Sequence, residues 1–422
     1  MHPNALLEEA ATLLERVFRF DQPTDALLAR HFREHRSLGP RDRATLADTV
    51  FAVLRERLRL EALARSGSGS RWRRLAILAF PGDIDFLKSA LSEPEKTWLD
   101  ACRATPDSVW LAPHRHNLPD WLAAALQAQI GDEFDTLAEA LMRPAPLDLR
   151  VNTLKARRDA VLAELAAGGL TGEPTPWSPL GIRLAGKPTL ARWQPYADGA
   201  VEVQDEGSQL LALLVGARRG EMVADFCAGA GGKTLALGAA MRNTGRLYAF
   251  DTSAHRLEGL KPRLARSGLS NVHPVAIAHE RDDRIKRLAG KLDRVLVDAP
   301  CSGLGTLRRH PDLKWRQTPA AVAAFAAQQT AILASAARLL KPGGRLVYAT
   351  CSLLTDENEA IAAAFDAAQS GWRPLSAATL LADAGVHDPA ALASGPEGRF
   401  LRLWPHRHRT DGFFAAVWQK TP

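Results

Sequence analysis

Asp225–Thr234, with the sequence DFCAGAGGKT, decides how this chain of 422 residues is interpreted. The run follows an apolar stretch typical of a buried strand and precedes an alanine-rich stretch typical of a helix. Its end looks like the phosphate-binding motif G-x-x-x-x-G-K-[ST], but the position five residues before Gly232 is Cys227 rather than glycine. A nucleoside triphosphatase is therefore disfavoured, and the loop is expected to serve another cofactor.

Strands and helices alternate from about residue 201 to the last residues of the sequence. The predicted strands are EMVADF (221–226), RLYAF (246–250), VHPVAI (272–277), DRVLVD (293–298), GRLVYAT (344–350) and DGFFAAVWQ (411–419), with helical patterns between them. This alternation predicts an α/β fold with a doubly wound parallel sheet. Ligands of such sheets bind at the carboxyl ends of the strands, where the site is expected.

An acid after the second of these strands adds to the evidence for a cofactor. Asp251 lies about 20 residues beyond the glycine loop, where an acid accepts a hydrogen bond from a ribose hydroxyl. The helix that opens at the glycine loop favours a negative group such as a carboxylate. A dinucleotide would require G-x-G-x-x-G, which this loop lacks, so a redox enzyme is disfavoured. We expect a nucleoside-containing cofactor.

Two cysteines follow the fourth and fifth strands of the predicted sheet. Cys301 lies in LVDAPCSG, after Asp298, and Cys351 lies in VYATCS. Because the carboxyl ends of parallel strands meet at one edge, both thiols are expected to face the cofactor site. A single cysteine there would be interpreted as a small buried hydrophobic residue, but two indicate a thiol-dependent reaction. The four cysteines include no C-x-x-C pair, so neither a metal site nor a disulfide framework is predicted.

The chain is predicted to have three domains. Apolar residues recur every three or four positions in residues 1–106, which predicts an all-helical domain. Residues 107–200 alternate short strands and helices, which predicts a small α+β domain. Residues 201–422 form the doubly wound domain.

The charge permits a polyanionic partner without requiring one. Lysine and arginine number 54 against 47 acidic residues, a net charge of +7. Arginines concentrate in RHFREHRSLGPRDR (30–43) and SGSGSRWRRL (66–75), as either a solvated helix face or a phosphate-contacting surface. No apolar run reaches the roughly 18 residues of a membrane span, and a signal peptide is not evident, so a cytoplasmic protein without a membrane partner is expected.

Several motifs, in order along the chain, carry a family resemblance. LRVNTLK, VEVQDEGSQL, DFCAGAGGKT, DAPCSG, YATCS and DGFFAAVWQK resemble those of the S-adenosylmethionine-dependent RNA cytosine-5 methyltransferases of the RsmB/NOP/Sun family. The resemblance covers about residues 107–422, and LGPRDRATLADTVFAVLRERLRL (38–60) resembles the NusB-like RNA-binding domain that precedes the catalytic part in bacterial members. It implies a class I methyltransferase fold, Rossmann-like, with S-adenosyl-L-methionine as cofactor. It also implies a monomer acting on RNA, specifically small-subunit (16S) ribosomal RNA.

The same resemblance assigns roles to residues. It implies that Cys351 is the nucleophile, that Cys301 helps to release the product and that Asp298 protonates the cytosine ring, whereas spacing alone leaves the two thiols equivalent. The implied cofactor-binding set is Cys227, Ala228, Gly229, Ala230, Gly231, Gly232, Lys233, Asp251, Arg256 and Asp298. The expected RNA contacts are Arg150, Asn152, Lys155, Arg308, Arg309 and Lys314.

The stretch GTLRRHPDLKW (305–315), which follows Cys301, has two interpretations. Its basic residues and Trp315 suit phosphate contacts and base stacking beside the active site. A structural loop held by Pro311 and a buried tryptophan is the alternative, and it stays open.

The sequence departs from the family pattern at two places. The family's loop has Ala-Pro where this chain has Gly229-Ala230, a change that removes no functional side chain. After the third strand, where the family often has an aspartate that contacts adenine, this chain has AHERDD (278–283). The adenine contact therefore stays unassigned, with His279 and Glu280 among the substitutes.

Two other functions compete with RNA methylation. A DNA cytosine-5 methyltransferase would use the Pro-Cys thiol, Cys301, and the second thiol at Cys351 counts against it. A noncatalytic RNA-binding ribosome assembly factor would retain only the fold, and the intact Cys301, Cys351, Asp298 and Asp251 count against that.

Overall fold

The computed structural model describes all 422 residues and divides them into two compact units. The helical unit comprises Met1–Pro144 and Thr306–Thr318, and the sheet unit comprises Ala145–Gly305 and Pro319–Pro422. The sheet unit contains most of the predicted α+β segment and nearly all of the predicted doubly wound segment.

The elements are numbered in chain order. The helices are α1 (Pro3–Val17), α2 (Thr24–Glu34), α3 (Pro40–Arg55), α4 (Arg57–Ala64), α5 (Arg71–Leu78), α6 (Ile84–Lys88), α7 (Glu93–Arg103), α8 (Ala112–His116), α9 (Asp120–Ile130), α10 (Phe134–Met142), α11 (Arg158–Ala167), α12 (Gln194–Ala197), α13 (Glu206–Val215), α14 (Gly232–Ala240), α15 (Ala254–Ser267), α16 (Asp283–Lys286), α17 (Leu313–Arg316), α18 (Pro319–Ala337), α19 (Glu359–Ala368), α20 (Ala377–Asp383) and α21 (Pro405–His408). The strands are β1 (Leu147–Val151), β2 (Gly172–Pro174), β3 (Gly181–Leu184), β4 (Val201–Val203), β5 (Met222–Asp225), β6 (Arg246–Asp251), β7 (Val272–Ala276), β8 (Leu292–Asp298), β9 (Leu340–Thr350), β10 (Trp372–Leu375), β11 (Ala393–Ser394), β12 (Phe400–Leu403) and β13 (Phe413–Lys420).

Helices in the helical unit follow the apolar repeat of the sequence. The buried residues of α1 include Leu6, Leu7, Ala10, Leu14 and Val17, at the spacing of one helix face. Leucines of α2 to α5 complete the same core. The start of α7 is a capping box, in which Ser92 and Glu95 each accept a hydrogen bond from the other's backbone amide.

The first sheet of the sheet unit is small and antiparallel, with the order β2-β3-β1-β4. Helix α11 packs on it through Val161 and Leu165, which join Leu149 and Ile182 of the strands in one cluster. Arg183 Nε donates to Asp148 Oδ1 at 2.8 Å, a buried ion pair across β1 and β3. This sheet extends from Leu147 to Val203, whereas residues 107–144 of the predicted α+β segment belong to the helical unit and β4 lies in the segment predicted as doubly wound.

The second sheet has the order β11-β12-β13-β9-β8-β5-β6-β7, and β10 pairs with β13. Strands β5 to β9 run parallel, and β13 is antiparallel to β9. Alternate residues of the strands pack on opposite faces, Val347 towards α13 and α20, and Tyr348 towards α18 and α19. The strand order reverses between β5 and β8, which is where a doubly wound sheet opens a crevice for a ligand.

Helix α18 is long and apolar enough to cross a membrane by length and composition. Its residues Ile332, Leu333, Ala336 and Ala337 lie in the core cluster that covers β8 and β9. The helix therefore packs as the core helix of the sheet unit.

Candidate functional site

The glycine loop between β5 and α14 needs glycine at two positions. Gly229 has φ +56° and Gly231 has φ +83°, the left-handed region that glycine favours. A Cβ at Gly231 would lie 2.1 Å from Leu260 Cδ1, and one at Gly229 would lie 2.6 Å from Arg256 Nη2. The helix that follows has no side-chain cap, which leaves its first amides to a ligand.

The remaining loop residues support this turn. Ala228 donates its amide to Phe250 O at 2.8 Å, and Ala230 O accepts from Arg263 Nη1 at 2.6 Å. Gly232 is the first residue of α14. Burial raises the pKa of the Cys227 thiol well above its usual value, so this cysteine stays protonated.

Asp225 ends β5 beneath the loop and is buried. Thr234 donates its hydroxyl to Asp225 Oδ2 at 2.7 Å. Burial raises the pKa of this carboxyl to about 7. Asp225 therefore anchors Thr234, at the end of the loop, through this hydrogen bond. Ionisation of its buried carboxyl lowers the stability of the folded protein.

We expect Asp225→Asn to be more stable than the wild type at pH 8. An unfolded aspartate ionises near pH 3.9, so folding takes up a proton at Asp225 between about pH 4 and 7. The stability that the protonated form contributes is present at low pH and lost as the pH rises to about 7, a change of up to about 4 kcal/mol. Asparagine keeps an acceptor for Thr234 and cannot ionise.

Urea unfolding of both proteins at pH 5 and pH 8 measures this difference. Asp283→Asn, at an exposed aspartate of α16, is the control and should follow the wild type. Parallel pH dependence in Asp225→Asn and the wild type would show that Asp225 does not change its ionisation on folding.

Asp251 ends β6 and organises the neighbouring loop. Its Oδ2 accepts from Gly229 N at 2.7 Å, and its Oδ1 accepts from Ser253 N at 2.8 Å. The exposed Arg256 guanidinium lies 3.6 Å from Oδ2. The predicted ribose acceptor and the glycine loop are thus joined by a direct hydrogen bond.

The two cysteines after β8 and β9 lie together. Cys301 Sγ and Cys351 Sγ are 3.4 Å apart, and both residues are partly exposed. The hydrogen bond with Cys351, together with burial and the nearby Glu357, raises the pKa of Cys301 well above its usual value. Cys301 is therefore held as a thiol.

Lys233 and Asp298 form an ion pair beside these thiols. Lys233 Nζ donates to Asp298 Oδ2 at 2.7 Å, and both side chains are largely covered. Burial by itself would lower the pKa of Lys233, but the Asp298 carboxylate outweighs it and the pKa is raised. Cys351 also interacts electrostatically with this ammonium. A fixed positive charge therefore lies near Cys351.

A cleft of about 500 Å³ lies at these strand ends, and the loop residues from Ala228 to Lys233 are not among those that line it. We call it the strand-end cleft; its lining includes Cys227, Asp251, Arg256, Asp298, Cys301 and Cys351. His279 and Glu280, left open for the adenine contact, also line it. His279 Nδ1 accepts a hydrogen bond from Arg281 N at 3.1 Å, and Ala278 N, which adjoins it, donates to Asp282 Oδ2 at 2.9 Å.

Sequence reasoning missed a buried polar cluster behind the thiols. Glu357, Ser302, Ser352 and Gln329 are all fully or nearly fully buried and hydrogen-bonded to one another. Glu357 lies in the acidic run TDENEA, which is typical of an exposed helix start. No signal in the sequence separates this acid from its exposed neighbour Asp356 or from the half-buried Glu359.

The expected RNA contacts near β1 lie elsewhere and have partners within the protein. Arg150 is buried and donates to Gln204 Oε1 and, at 2.7 Å, to Gly232 O, and burial lowers its pKa to about 10. Asn152 is buried and donates to Gly199 O and Ser267 O. Exposed Lys155 donates to Asp198 O at 2.6 Å. Arg150 thus supports the glycine loop from behind.

Arg308, Arg309 and Lys314 belong to the helical unit. Arg308 and Arg309 are half-buried. Lys314 is buried, donates to Arg55 O at 2.7 Å, and has its pKa lowered to about 7 by burial. Trp315 donates Nε1–H to Leu54 O at 2.8 Å and packs on the helical core. Lys314 and Trp315 therefore have the structural contacts that the second interpretation of this stretch describes.

Glu9, His31 and His35 are close enough together to be considered for a metal ion. His31 Nε2 lies 2.8 Å from Glu9 Oε1, and the two imidazoles are stacked, with centroids 4.0 Å apart and planes at 22°. Ring nitrogens of stacked imidazoles direct their lone pairs side by side rather than to one point. The group is arranged as a close imidazole–carboxylate pair with a stacked neighbouring imidazole.

Comparison with known proteins gives consistent matches. Residues 212–419 match the model of a family described as 16S rRNA methyltransferase RsmB/F, and residues 118–190 match its ferredoxin-like domain. A protein of Synechocystis sp. named probable ribosomal RNA small subunit methyltransferase B is 36% identical over 310 residues, 72% of this chain and 67% of that protein. A Bacillus subtilis protein of the same name is 31% identical over 347 residues, which cover 80% of this chain and 74% of that protein. The crystal structure of a methyltransferase homologue protein from Pyrococcus horikoshii is 29% identical, with a TM-score of 0.61 over 75% of this chain and 100% of that one.

Proposed function

The chain belongs to the RsmB/F family of methyltransferases and has the class I methyltransferase fold, and from this membership we propose that it methylates carbon 5 of a cytosine in RNA with S-adenosylmethionine. The observation that carries the proposal is the pair of thiols, 3.4 Å apart, in the cleft that Asp251 and Asp298 also line. A nucleoside cofactor and a covalent catalyst thereby share one site.

The strand-end cleft fits the cofactor. Its volume of about 500 Å³ lies in the range of about 300–1,000 Å³ that is usual for ligand pockets. Asp251 would accept hydrogen bonds from the ribose, and the uncapped start of α14 would bind the carboxylate. When bound, S-adenosylmethionine supplies an electrophilic methyl group.

Carbon 5 of cytosine is too weak a nucleophile to take up a methyl group directly, so the enzyme must first activate the ring with a nucleophile of its own. A thiolate that adds to carbon 6 turns the ring into an enamine, which accepts a methyl group at carbon 5. Loss of the carbon-5 proton then restores the ring and expels the thiolate. We assign the addition to Cys351, because YATCS matches the Thr-Cys nucleophile motif of the family that the chain belongs to.

The Lys233–Asp298 pair suits the second requirement of the addition. Negative charge moves to ring N3 as the thiolate adds, and a proton supplied there lowers the barrier. Lys233 Nζ donates a hydrogen bond to Asp298 Oδ2 at 2.7 Å, and Asp298 lines the cleft. We assign this proton transfer to Asp298 as a relay, which takes the proton from the Lys233 ammonium and passes it to N3.

Asp251→Ala is expected to weaken cofactor binding by about 10- to 100-fold, because a hydrogen bond to a charged group contributes about 1.5–3 kcal/mol. The wild type is expected to bind S-adenosylmethionine with a Kd between micromolar and millimolar, which corresponds to a binding free energy of about 8 to 4 kcal/mol in magnitude. Calorimetric titration of S-adenosylmethionine measures both. Glu258→Ala, at an exposed acid of α15, is the control. Equal affinity in Asp251→Ala and wild type would remove Asp251 from the site.

We propose ribosomal RNA of the small subunit as the substrate, because both curated relatives carry that substrate in their names. A cytosine must leave its stack to reach the cleft, which favours single-stranded or loop RNA. We also propose that residues 1–106 form a NusB-like RNA-binding domain, whose arginines contact phosphates. Comparing the 5-methylcytosine positions of RNA from cells with and without this protein tests the substrate.

RNA binding is expected to weaken steeply with salt. Each phosphate contact to single-stranded RNA contributes about −0.7 to the slope of log K against log salt. Arginines of the helical unit and the net charge of +7 motivate the prediction. Filter binding of a ribosomal RNA fragment at several salt concentrations, from about 50 mM to about 300 mM, measures this slope. A flat response would rule out binding through phosphates.

A further inference from the structure

Glu357 is a fully buried carboxylate that joins the two cysteine loops. Its Oε1 accepts from Ser302 N at 2.8 Å and from Gln329 Nε2 at 3.1 Å. Its Oε2 accepts from the hydroxyls of Ser302 and Ser352. Ser302 directly follows Cys301, and Ser352 directly follows Cys351. All of these donors are neutral.

We propose that Glu357 is a positioning residue for methyl transfer, which sets the separation of the two thiols and makes them chemically unequal. The inference rests on the proposed function, in which Cys351 adds to the cytosine and Cys301 does not.

The separation follows from the hydrogen bonds. Each loop is tied to the same carboxylate oxygen through a serine hydroxyl, and the two hydroxyls are 3.2 Å apart. Gly305 N also donates to Cys351 O at 2.8 Å, which brings the first loop against the second. Loss of the carboxylate would release both loops, and a displacement of about 1 Å at a reacting group can cost about 100-fold in rate.

The inequality follows from where the charges lie. Glu357 accepts the amide of Ser302, the residue directly after Cys301, and its negative charge adds to the raised pKa of the Cys301 thiol. An anion near a thiol favours the neutral form. Cys301 therefore does not compete with Cys351 for carbon 6.

Glu357→Gln tests the inference, with Asp356→Asn as a matched control that removes the same charge from the exposed neighbour. Alkylation of each cysteine by iodoacetamide is followed by mass spectrometry as a function of pH, without cofactor or RNA. In Glu357→Gln we expect the Cys301 profile to move to lower pH and its alkylation at neutral pH to become faster, because one of the causes of its raised pKa is removed. A Cys301 profile that coincides with the wild type, or an equal shift in Asp356→Asn, would overturn the proposal.

Kinetics supply the second measurement. Glu357→Gln is expected to lower kcat about 100-fold while KM for the cofactor stays within about twofold. Ser352→Ala keeps the charge of Glu357 but loses the hydrogen bond from the Ser352 hydroxyl. We therefore expect kcat to fall about 10-fold while the pH profile of Cys301 alkylation stays unchanged. If Glu357→Gln does not fold, Ser352→Ala decides, and an unchanged kcat there overturns the positioning role. The alkylation readout needs no methylation, so a shifted Cys301 profile with an inactive wild type would refute the proposed function alone.

Discussion

Cys351→Ala is expected to lose methylation completely and to form no covalent complex with RNA. Without a thiol at this position nothing adds to carbon 6, and carbon 5 stays too poor a nucleophile to accept the methyl group. Cys301 lies only 3.4 Å away but is held as a thiol, because its bond to Cys351, its burial and Glu357 raise its pKa. It is therefore not expected to take over the reaction.

Cys301→Ala is expected to fail in a different way. Cys351 can still add and the ring can still be methylated, but the product is released slowly, so a protein–RNA complex that resists denaturation should accumulate. Each variant is incubated with substrate RNA and S-adenosylmethionine, denatured and examined for a shifted band. Cys102→Ala, at a buried cysteine of the helical unit, is the control. An adduct in Cys351→Ala and none in Cys301→Ala would reverse the assignment, as a DNA-type enzyme would require.

Asp298→Asn is expected to lower the single-turnover rate by about 100- to 10,000-fold, the contribution usual for a positioned proton donor. Asparagine preserves the size of the side chain but supplies no acidic proton at N3. It also leaves the mostly buried Lys233 ammonium without its carboxylate partner. The measurement uses saturating cofactor, because Asp298 lines the cleft and its replacement can weaken binding as well.

Asp283→Asn is the control for this variant, because Asp283 is an exposed aspartate paired only with Lys286 on α16. Its rate should match the wild type. An Asp298→Asn rate within threefold of the wild type, on the order of 0.6 kcal/mol, would exclude Asp298 as the proton donor.

The parts of the site that lie in continuous motifs could be predicted from sequence. DFCAGAGGKT fixes a turn whose glycines need positive φ, and the parallel sheet brings Asp251, Cys301 and Cys351 to one edge. The class I methyltransferase fold was predicted correctly for the same reason, since strand and helix alternate with clear periods.

Contacts between distant segments could not be predicted. Arg150 donates to Gly232 O, 82 residues away, so a basic residue in a family motif supports a loop from the interior. Glu357 bonds Ser302 across 55 residues, although its local sequence is typical of an exposed acid. Strands β10, β11 and β12 were also missed, because they are short and pair with a sheet whose edge the local pattern does not reveal.

The central claim is that this chain methylates carbon 5 of a cytosine in small-subunit ribosomal RNA. The most direct test uses RNA isolated from cells in which the gene for this chain is disrupted, incubated with the purified protein and methyl-labelled S-adenosylmethionine, and then digested to nucleosides. We predict that the label appears in 5-methylcytidine, and that Cys351→Ala transfers none. Label in any other nucleoside, or RNA that stays unlabelled after incubation with the wild-type protein, would contradict the claim.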